Sequence, residues 1–308
     1  MKVSIVGAGG RVGSNTAFAL QMLNCFQEMV LIDVAMQDAA QGEALDLRHG
    51  TSLAGSQRIR AGDYRDAADS DVVVVTAGLR RRPDESRLQL IGRNVDLFKQ
   101  ILQDLKSAGL SRNAILLVVG NPVDILTYLA TQDGYLPSDR VFGSGTFFDT
   151  TRFRSLLGEY FGVDPRLVNA MILGEHGDSM VPIWSRASVN GVPIANMPGY
   201  DEAKVADLFE QTKKGGAEVI RLKGGAGWGI AITVARLVEA IATDARAVVP
   251  ISTLQSGAYG IQDVCLSVPS VLGRSGVGQR LELPLTDAER ESLLNSARVL
   301  RETLDSLG

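Results

Sequence analysis

Four short, β-branched stretches in the first half of the chain alternate with helical patterns. The stretches are Val3–Val6, Met29–Ile32, Asp71–Thr76 and Ala114–Val119, and the helices fall at Val12–Leu23, Ala39–Arg48, Leu88–Leu105 and Asp124–Thr131. Strands that recur with a helix between them run parallel, because the helix carries the chain back to the edge where the last strand began. Val72-Val73-Val74-Val75 has no polar alternation, as a strand covered on both faces requires. The pattern predicts an α/β fold built on a doubly wound parallel sheet.

The second half has a different character. Thr150–Phe161 reads as a helix, Leu167–Leu173 and Pro182–Val189 as strands, and Asp201–Leu222 and Ile230–Ala247 as long helices. Short strands follow near Val248–Leu254, Asp263–Val268 and Ser270–Leu272. Asp287–Leu304 closes the chain as a helix, with Thr286 as its N-cap and Glu289 completing a capping box. This α+β character places a boundary near residue 143, giving domains 1–143 and 144–308.

The first strand runs into Gly7-Ala8-Gly9-Gly10-Arg11-Val12-Gly13 and then a helix. Glycines there permit a tight turn and let backbone approach a pyrophosphate, whose charge sits at the helix N-terminus. The spacing is G-x-x-G-x-x-G through Gly7, Gly10 and Gly13, since Val12 occupies the third position of a strict G-x-G-x-x-G. A Gly-rich turn without a ligand is the competing reading. The second strand ends at Asp33, twenty residues beyond Gly13. A carboxylate at that point accepts from the adenosine ribose hydroxyls and repels a 2′-phosphate, which favours NAD over NADP. Strand, loop, helix and acid together predict a Rossmann domain that binds NAD.

Composition narrows the remaining classes. Of 308 residues 45% are hydrophobic and 21% charged, with a net charge of −4 and no basic run, which speaks against nucleic acid. The apolar runs are too short to span a bilayer, and no signal segment opens the chain. Cys25 and Cys265 match no metal or redox spacing, so no metal is expected, and free thiols suit the cytoplasm.

Only two histidines compete for proton transfer. His49, in Asp46-Leu47-Arg48-His49-Gly50, reads as the end of a helix, where imidazole complements the dipole and Gly50 serves as cap. His176 sits in the polar turn Gly174-Glu175-His176-Gly177-Asp178-Ser179, easily presented to a cleft and of a pKa suited to neutrality.

The segment Ile172–Ser179 resembles the active-site signature of the L-lactate/malate dehydrogenase family. So do Thr76-Ala77-Gly78, Gly120-Asn121-Pro122-Val123-Asp124 and the run Gly145–Arg154, in the same order along nearly the whole chain. The resemblance implies His176 as proton carrier with Asp149 as its orienting partner. It implies Arg152 as the grip on the substrate's C1 carboxylate and Asn121 as a hydrogen-bond partner near the nicotinamide. It also implies a mobile loop over Gly78–Arg93, with Arg87 polarising the reacting carbonyl. Cofactor contacts are expected from Gly7, Gly10, Arg11, Val12, Gly13 and Asp33, joined by Asn94, Val119 and Asn121. A homo-oligomer, dimer or tetramer, is expected from the family.

Arg81 turns this expectation toward malate and oxaloacetate. Lactate enzymes of the family carry glutamine two residues before the loop proline, here Pro83, where malate enzymes carry arginine. Enclosing a second substrate carboxylate without a partner costs about 2–5 kcal/mol. Ala226, where lactate enzymes have threonine, leaves room for a longer acid, and the glycine-loop spacing agrees. The expected activity is thus an NAD-dependent malate dehydrogenase of the tricarboxylic acid cycle acting on a dicarboxylate, with L-lactate or another 2-hydroxy-monoacid as the alternative. Asp84 departs from the family's usual glycine. A non-catalytic NAD-binding regulator would have little use for Asp149, Arg152 and His176 together.

Overall fold

The computed structural model of the chain describes residues 1–80, 82 and 84–307. Its first half contains β1 (Lys2–Val6), α1 (Arg11–Leu23), β2 (Glu28–Ile32), α2 (Gln37–Ala54), β3 (Arg58–Gly62), β4 (Val72–Val75), α3 (Arg87–Ser107), β5 (Ile115–Val118), α4 (Val123–Gln132) and β6 (Val141–Gly143). The second half continues with α5 (Phe147–Phe161), β7 (Val168–Asn169), β8 (Ile172–Leu173), β9 (Val181–Pro182), β10 (Ser188–Val189) and β11 (Val192–Pro193). It ends with α6 (Glu202–Lys223), α7 (Trp228–Ala242), β12 (Ala247–Ser256), β13 (Gln262–Gly273), β14 (Gly276–Arg280) and α8 (Asp287–Asp305).

One nine-stranded sheet dominates, in the order β3-β2-β1-β4-β5-β6-β12-β13-β14. β1 to β6 pair in parallel, and β12 joins β6 antiparallel through Ser252 opposite Gly143. The chain order reverses between β1 and β4, which opens a crevice at their carboxyl ends. β4 shows why the sheet needs cover on both sides. Val73 and Val75 pack with Phe98, Ile101 and Leu105 of α3, whereas Val72 and Val74 pack with Leu20 of α1 and Val234 and Leu237 of α7. A third core gathers Phe153, Leu157, Trp184 and Phe209 behind α5, with Phe153 and Trp184 edge to face at 5.2 Å.

Several sequence expectations change. Leu167–Leu173 is not one strand: β7 and β8 belong to different small sheets. Pro182–Val189 holds the ends of two strands around a turn of helix at Trp184–Arg186. The two late strands expected on either side of Pro269 are one strand, β13, in which Pro269 faces Pro250 of β12 so that both missing N–H groups fall on one rung. α2 runs on to Ala54, so Gly50 caps nothing and exposed His49 lies within the helix. The expected loop over Gly78–Arg93 is shorter, because Ser86 and Gln89 form a capping box that starts α3 at Arg87.

Candidate active site

The phosphate loop is shaped by close backbone approach. A Cβ on Gly13 would lie 2.3 Å from the Gly7 carbonyl oxygen, so only glycine lets α1 start this near β1. Gly10 caps α1 without a side-chain bond, and the N–H groups of Arg11, Val12 and Gly13 meet no acceptor among the described residues. Such an uncapped helix start fits a pyrophosphate. Asp33 accepts from Gly9 N–H through Oδ2 and from Ala35 and Met36 N–H through Oδ1. It braces the loop and retains lone pairs for ribose hydroxyls. Arg11 points its guanidinium away, donating to the Lys223 and Gly225 carbonyls at 2.7 and 2.9 Å. Val119 is buried just beyond β5. Asn94 is buried too, with Nδ2 donating to the Leu90 carbonyl of its own helix and Oδ1 accepting from Leu79 N–H, so its amide ties the segment after β4 to α3.

The proton-transfer group is assembled from α5 and the turn after β8. Thr150 Oγ1 accepts from Ile172 N–H at 3.0 Å, which fixes α5 to β8. Gly174 turns the chain at φ +85°, where a Cβ would strike Ser296 Oγ of α8 at 2.6 Å. His176 then meets Asp149, with Nδ1 2.5 Å from Oδ2. Asp149 is 1% exposed, and its Oδ1 takes a second bond from Arg152 Nη1 at 3.1 Å. The same Nη1 donates to the Thr212 carbonyl, and the guanidinium lies 4.6 Å above the Phe148 ring.

Electrostatics follow from this packing. Burial disfavours charge on His176, but the charge and hydrogen bond of Asp149, aided by Asp124, outweigh it and lift the imidazole to about 9. Burial likewise disfavours the Asp149 carboxylate. His176 and Arg152 override it and hold the group below its ordinary value. Burial pushes Asp124 up to about 6, against the smaller pull of the Ser252 hydroxyl and of His176.

His176 lines a cavity of about 790 Å³ together with Arg87, Asn94, Asn121, Asp124, Glu175 and Asp178. Asn295, Val299 and Thr303 of α8 form another wall. Arg87 donates to Asp178 at 2.9 Å and stands 4.0 Å from Glu175. The structure thus gathers His176, Asp149 and Arg152, and it places Arg87 and Asn121 on the cavity with His176. Arg81 lies outside the described residues. Sequence reading missed the acids Asp124, Glu175 and Asp178 as part of the site, as well as the α8 wall. Asp124 stood in a quoted motif without a role, and Asn295, Val299 and Thr303, four residues apart, look like one side of an ordinary amphipathic helix.

Comparison with known proteins agrees along the whole length. Residues 1–143 match the family model described as lactate/malate dehydrogenase, NAD binding domain, and residues 146–307 that of its alpha/beta C-terminal domain. The L-lactate dehydrogenase of Synechococcus sp. (strain JA-3-3Ab) is 45% identical over 308 residues, covering 100% of this chain and 99% of that protein. The L-lactate dehydrogenase of Gloeobacter violaceus is 44% identical, covering 100% and 93%. Among solved structures, a lactate dehydrogenase from a Medee basin deep-sea metagenome library superimposes with a TM-score of 0.94 at 37% identity, covering 99% of this chain and 98% of that one. The minor L-lactate dehydrogenase of Enterococcus mundtii gives 0.93 at 37%, covering 100% and 98%.

These matches overturn the expectation of malate, and with it the dicarboxylate and the place in the tricarboxylic acid cycle. The physical weakness of that expectation is that its deciding residue, Arg81, sits in a run of arginines, while Ala226 and the glycine spacing speak of room and turn shape rather than of charge. The titratable described residues that line the cavity are the Arg87 guanidinium, the His176 imidazole and three acids, Asp124, Glu175 and Asp178. That balance does not suit a dianion.

Proposed function

Since the chain belongs to the lactate/malate dehydrogenase family, we propose that it is an NAD-dependent L-lactate dehydrogenase that interconverts L-lactate and pyruvate. The observation that carries the reading is the Asp149 carboxylate shared between His176 Nδ1 and Arg152 Nη1 beside the cavity. One acid orients a proton carrier and a carboxylate grip together, as a 2-hydroxy-monoacid needs. Residues 1–143 form the dinucleotide-binding domain and 144–308 the substrate domain.

The uncapped N–H groups of Arg11, Val12 and Gly13 suit the cofactor's pyrophosphate, and the Asp33 carboxylate selects NAD over NADP. Val119 and Asn121, at the end of β5, and Asn94, through the segment it holds, belong to the same site. NAD, when bound, supplies the hydride acceptor. Arg152 binds the substrate carboxylate with the N–H groups that have no acceptor among the described residues. Asn121 holds the hydroxyl side of the substrate. Neutral His176 takes the hydroxyl proton at Nε2, the ring nitrogen without a partner, and Asp149 stabilises the imidazolium that forms. In pyruvate reduction the imidazolium returns that proton, and Arg87 polarises the carbonyl after exchanging Asp178 for substrate.

Free thiols at Cys25 and Cys265 support a reducing, cytoplasmic setting. Among the described residues no helix is long and apolar enough to cross a membrane. Exposed Phe18 and Met22 on α1, and Trp228 and Ile232 on α7, which packs on α1, support a homo-oligomer. Steady-state assays with NADH and either pyruvate or oxaloacetate test the reading. Pyruvate is the expected better substrate, and higher kcat/KM with oxaloacetate overturns it. His176→Asn should lower turnover by a factor on the order of 10³ while NADH binding, read by fluorescence, survives.

A further inference from the structure

Asp124 is the buried carboxylate of the cavity, and the mechanism above gives it no task. It is the second residue of α4 and 2% exposed. Its Oδ2 accepts the His176 backbone N–H at 2.7 Å. Among the described residues its Oδ1 is buried without a partner, and so is Oγ of Ser252, the β12 hydroxyl that lies beside it and eases its charge. A buried carboxylate with half its accepting capacity unused is costly to keep. Here it grips the main chain of the one residue that must carry the proton.

We propose that Asp124 is a positioning residue for His176: its carboxylate anchors the His176 backbone from α4 while Asp149 anchors the ring from α5, and its negative charge is a second determinant of when the imidazole is protonated. The inference deepens the proposed function and rests on that reading for its catalytic meaning.

The surrounding charges make the two carboxylates unequal. Asp149 faces both His176 and Arg152. Asp124 faces His176, the Glu175 carboxylate from the same turn and, on β13, the Cys265 thiol, which burial keeps protonated. Arg87 of α3 is spent on Asp178 and Glu175. α8 contributes only the neutral Asn295 and Ser296 on this side. Among the described residues Asp124 therefore has His176 as its one neighbouring cation, and its own protonation near pH 6 lies within the working range of the site. Losing that charge removes attraction for the imidazolium and weakens the acceptor on the His176 N–H, so ring and backbone respond together.

The chain has two histidines, which makes the test direct. In ¹H–¹³C spectra of the imidazole Cε1–H groups, His49→Gln assigns the signals, and the His176 shift is followed against pH. The wild type should show the imidazole's own high-pH transition and a smaller inflection near pH 6 from Asp124. In Asp124→Asn, which keeps an oxygen to accept the N–H, the inflection should vanish and the main midpoint fall by about one pH unit. Ser252→Ala retains the carboxylate but removes the hydroxyl, and should move the inflection upward. A His176 titration in Asp124→Asn that superimposes on the wild type overturns the proposal. Should Asp124→Asn not fold, an unmoved inflection in Ser252→Ala overturns it equally. The readout needs no turnover, so a wild-type chain inactive on pyruvate would sink the proposed function and leave this test standing. With activity present, the alkaline limb of kcat/KM for pyruvate should shift down in Asp124→Asn while the NADH Kd holds.

Discussion

Asp149 accepts from two donors, so His176 and Arg152 are both held through its one carboxylate. Arg152→Lys keeps a cation but loses the fork that reaches Asp149 and Thr212. It should raise KM for pyruvate roughly thirtyfold, about 2 kcal/mol, in initial-rate measurements. The imidazole pKa, raised from 6.5 to about 9, gives a signed expectation. Reduction needs the imidazolium, so kcat/KM for pyruvate should hold to about pH 9 and fall tenfold per unit above, whereas lactate oxidation rises across that range. Because the folded value exceeds the ordinary one, protonation stabilises the fold fully below pH 6.5 and that contribution is lost as pH rises through about 9. His176→Asn should remove this part of the pH dependence of the guanidinium chloride midpoint. His176 stood out in the sequence by its polar turn, whereas Asp149 and Arg152 were named only through the family resemblance, since alone they read as a helix cap and a solvated charge. Asp124 was not legible, since its place behind His176 depends on α4 and β8 meeting at the crevice.

At the scale of elements, α8 shows what local signals resolve. Thr286 accepts from Glu289 N–H and Glu289 answers to Thr286 N–H, as the capping-box spacing implies. Glu289 also takes the N–H and hydroxyl of Ser185, which no local pattern announces. Thr286→Ala should cost about 1 kcal/mol in a denaturant titration. α8 walls the cavity, so a rise in KM larger than the fall in stability explains would show that its N-terminus also sets the pocket. β3 escaped the sequence because Arg58 and Arg60 alternate on it, their charges meeting Glu28 of β2. β13 was divided because Pro269 looks like a break, and only the facing Pro250 makes it tolerable.

For the whole molecule, alternation of strand and helix was enough to foresee a doubly wound sheet, but not that β12, β13 and β14 would extend it. Antiparallel partners far along the chain leave no mark on each other's spacing. Residues 1–143 alone would leave β6 without β12 and the α1 face without α7. That fragment should show no cooperative thermal transition by circular dichroism, whereas the full chain should unfold in one calorimetric step. Two cooperative melts from the full chain would contradict this view.

The ladder that joins Ser252 to Gly143 has a mechanical meaning as well. A backbone welded across the midline leaves no hinge about which the halves can swing apart to admit a substrate. Entry and release must be worked by smaller doors on the rim of the cavity, such as the outer wall of α8. Turnover should then track the stiffness of those rim pieces and stay indifferent to the viscosity-limited tumbling of one half against the other.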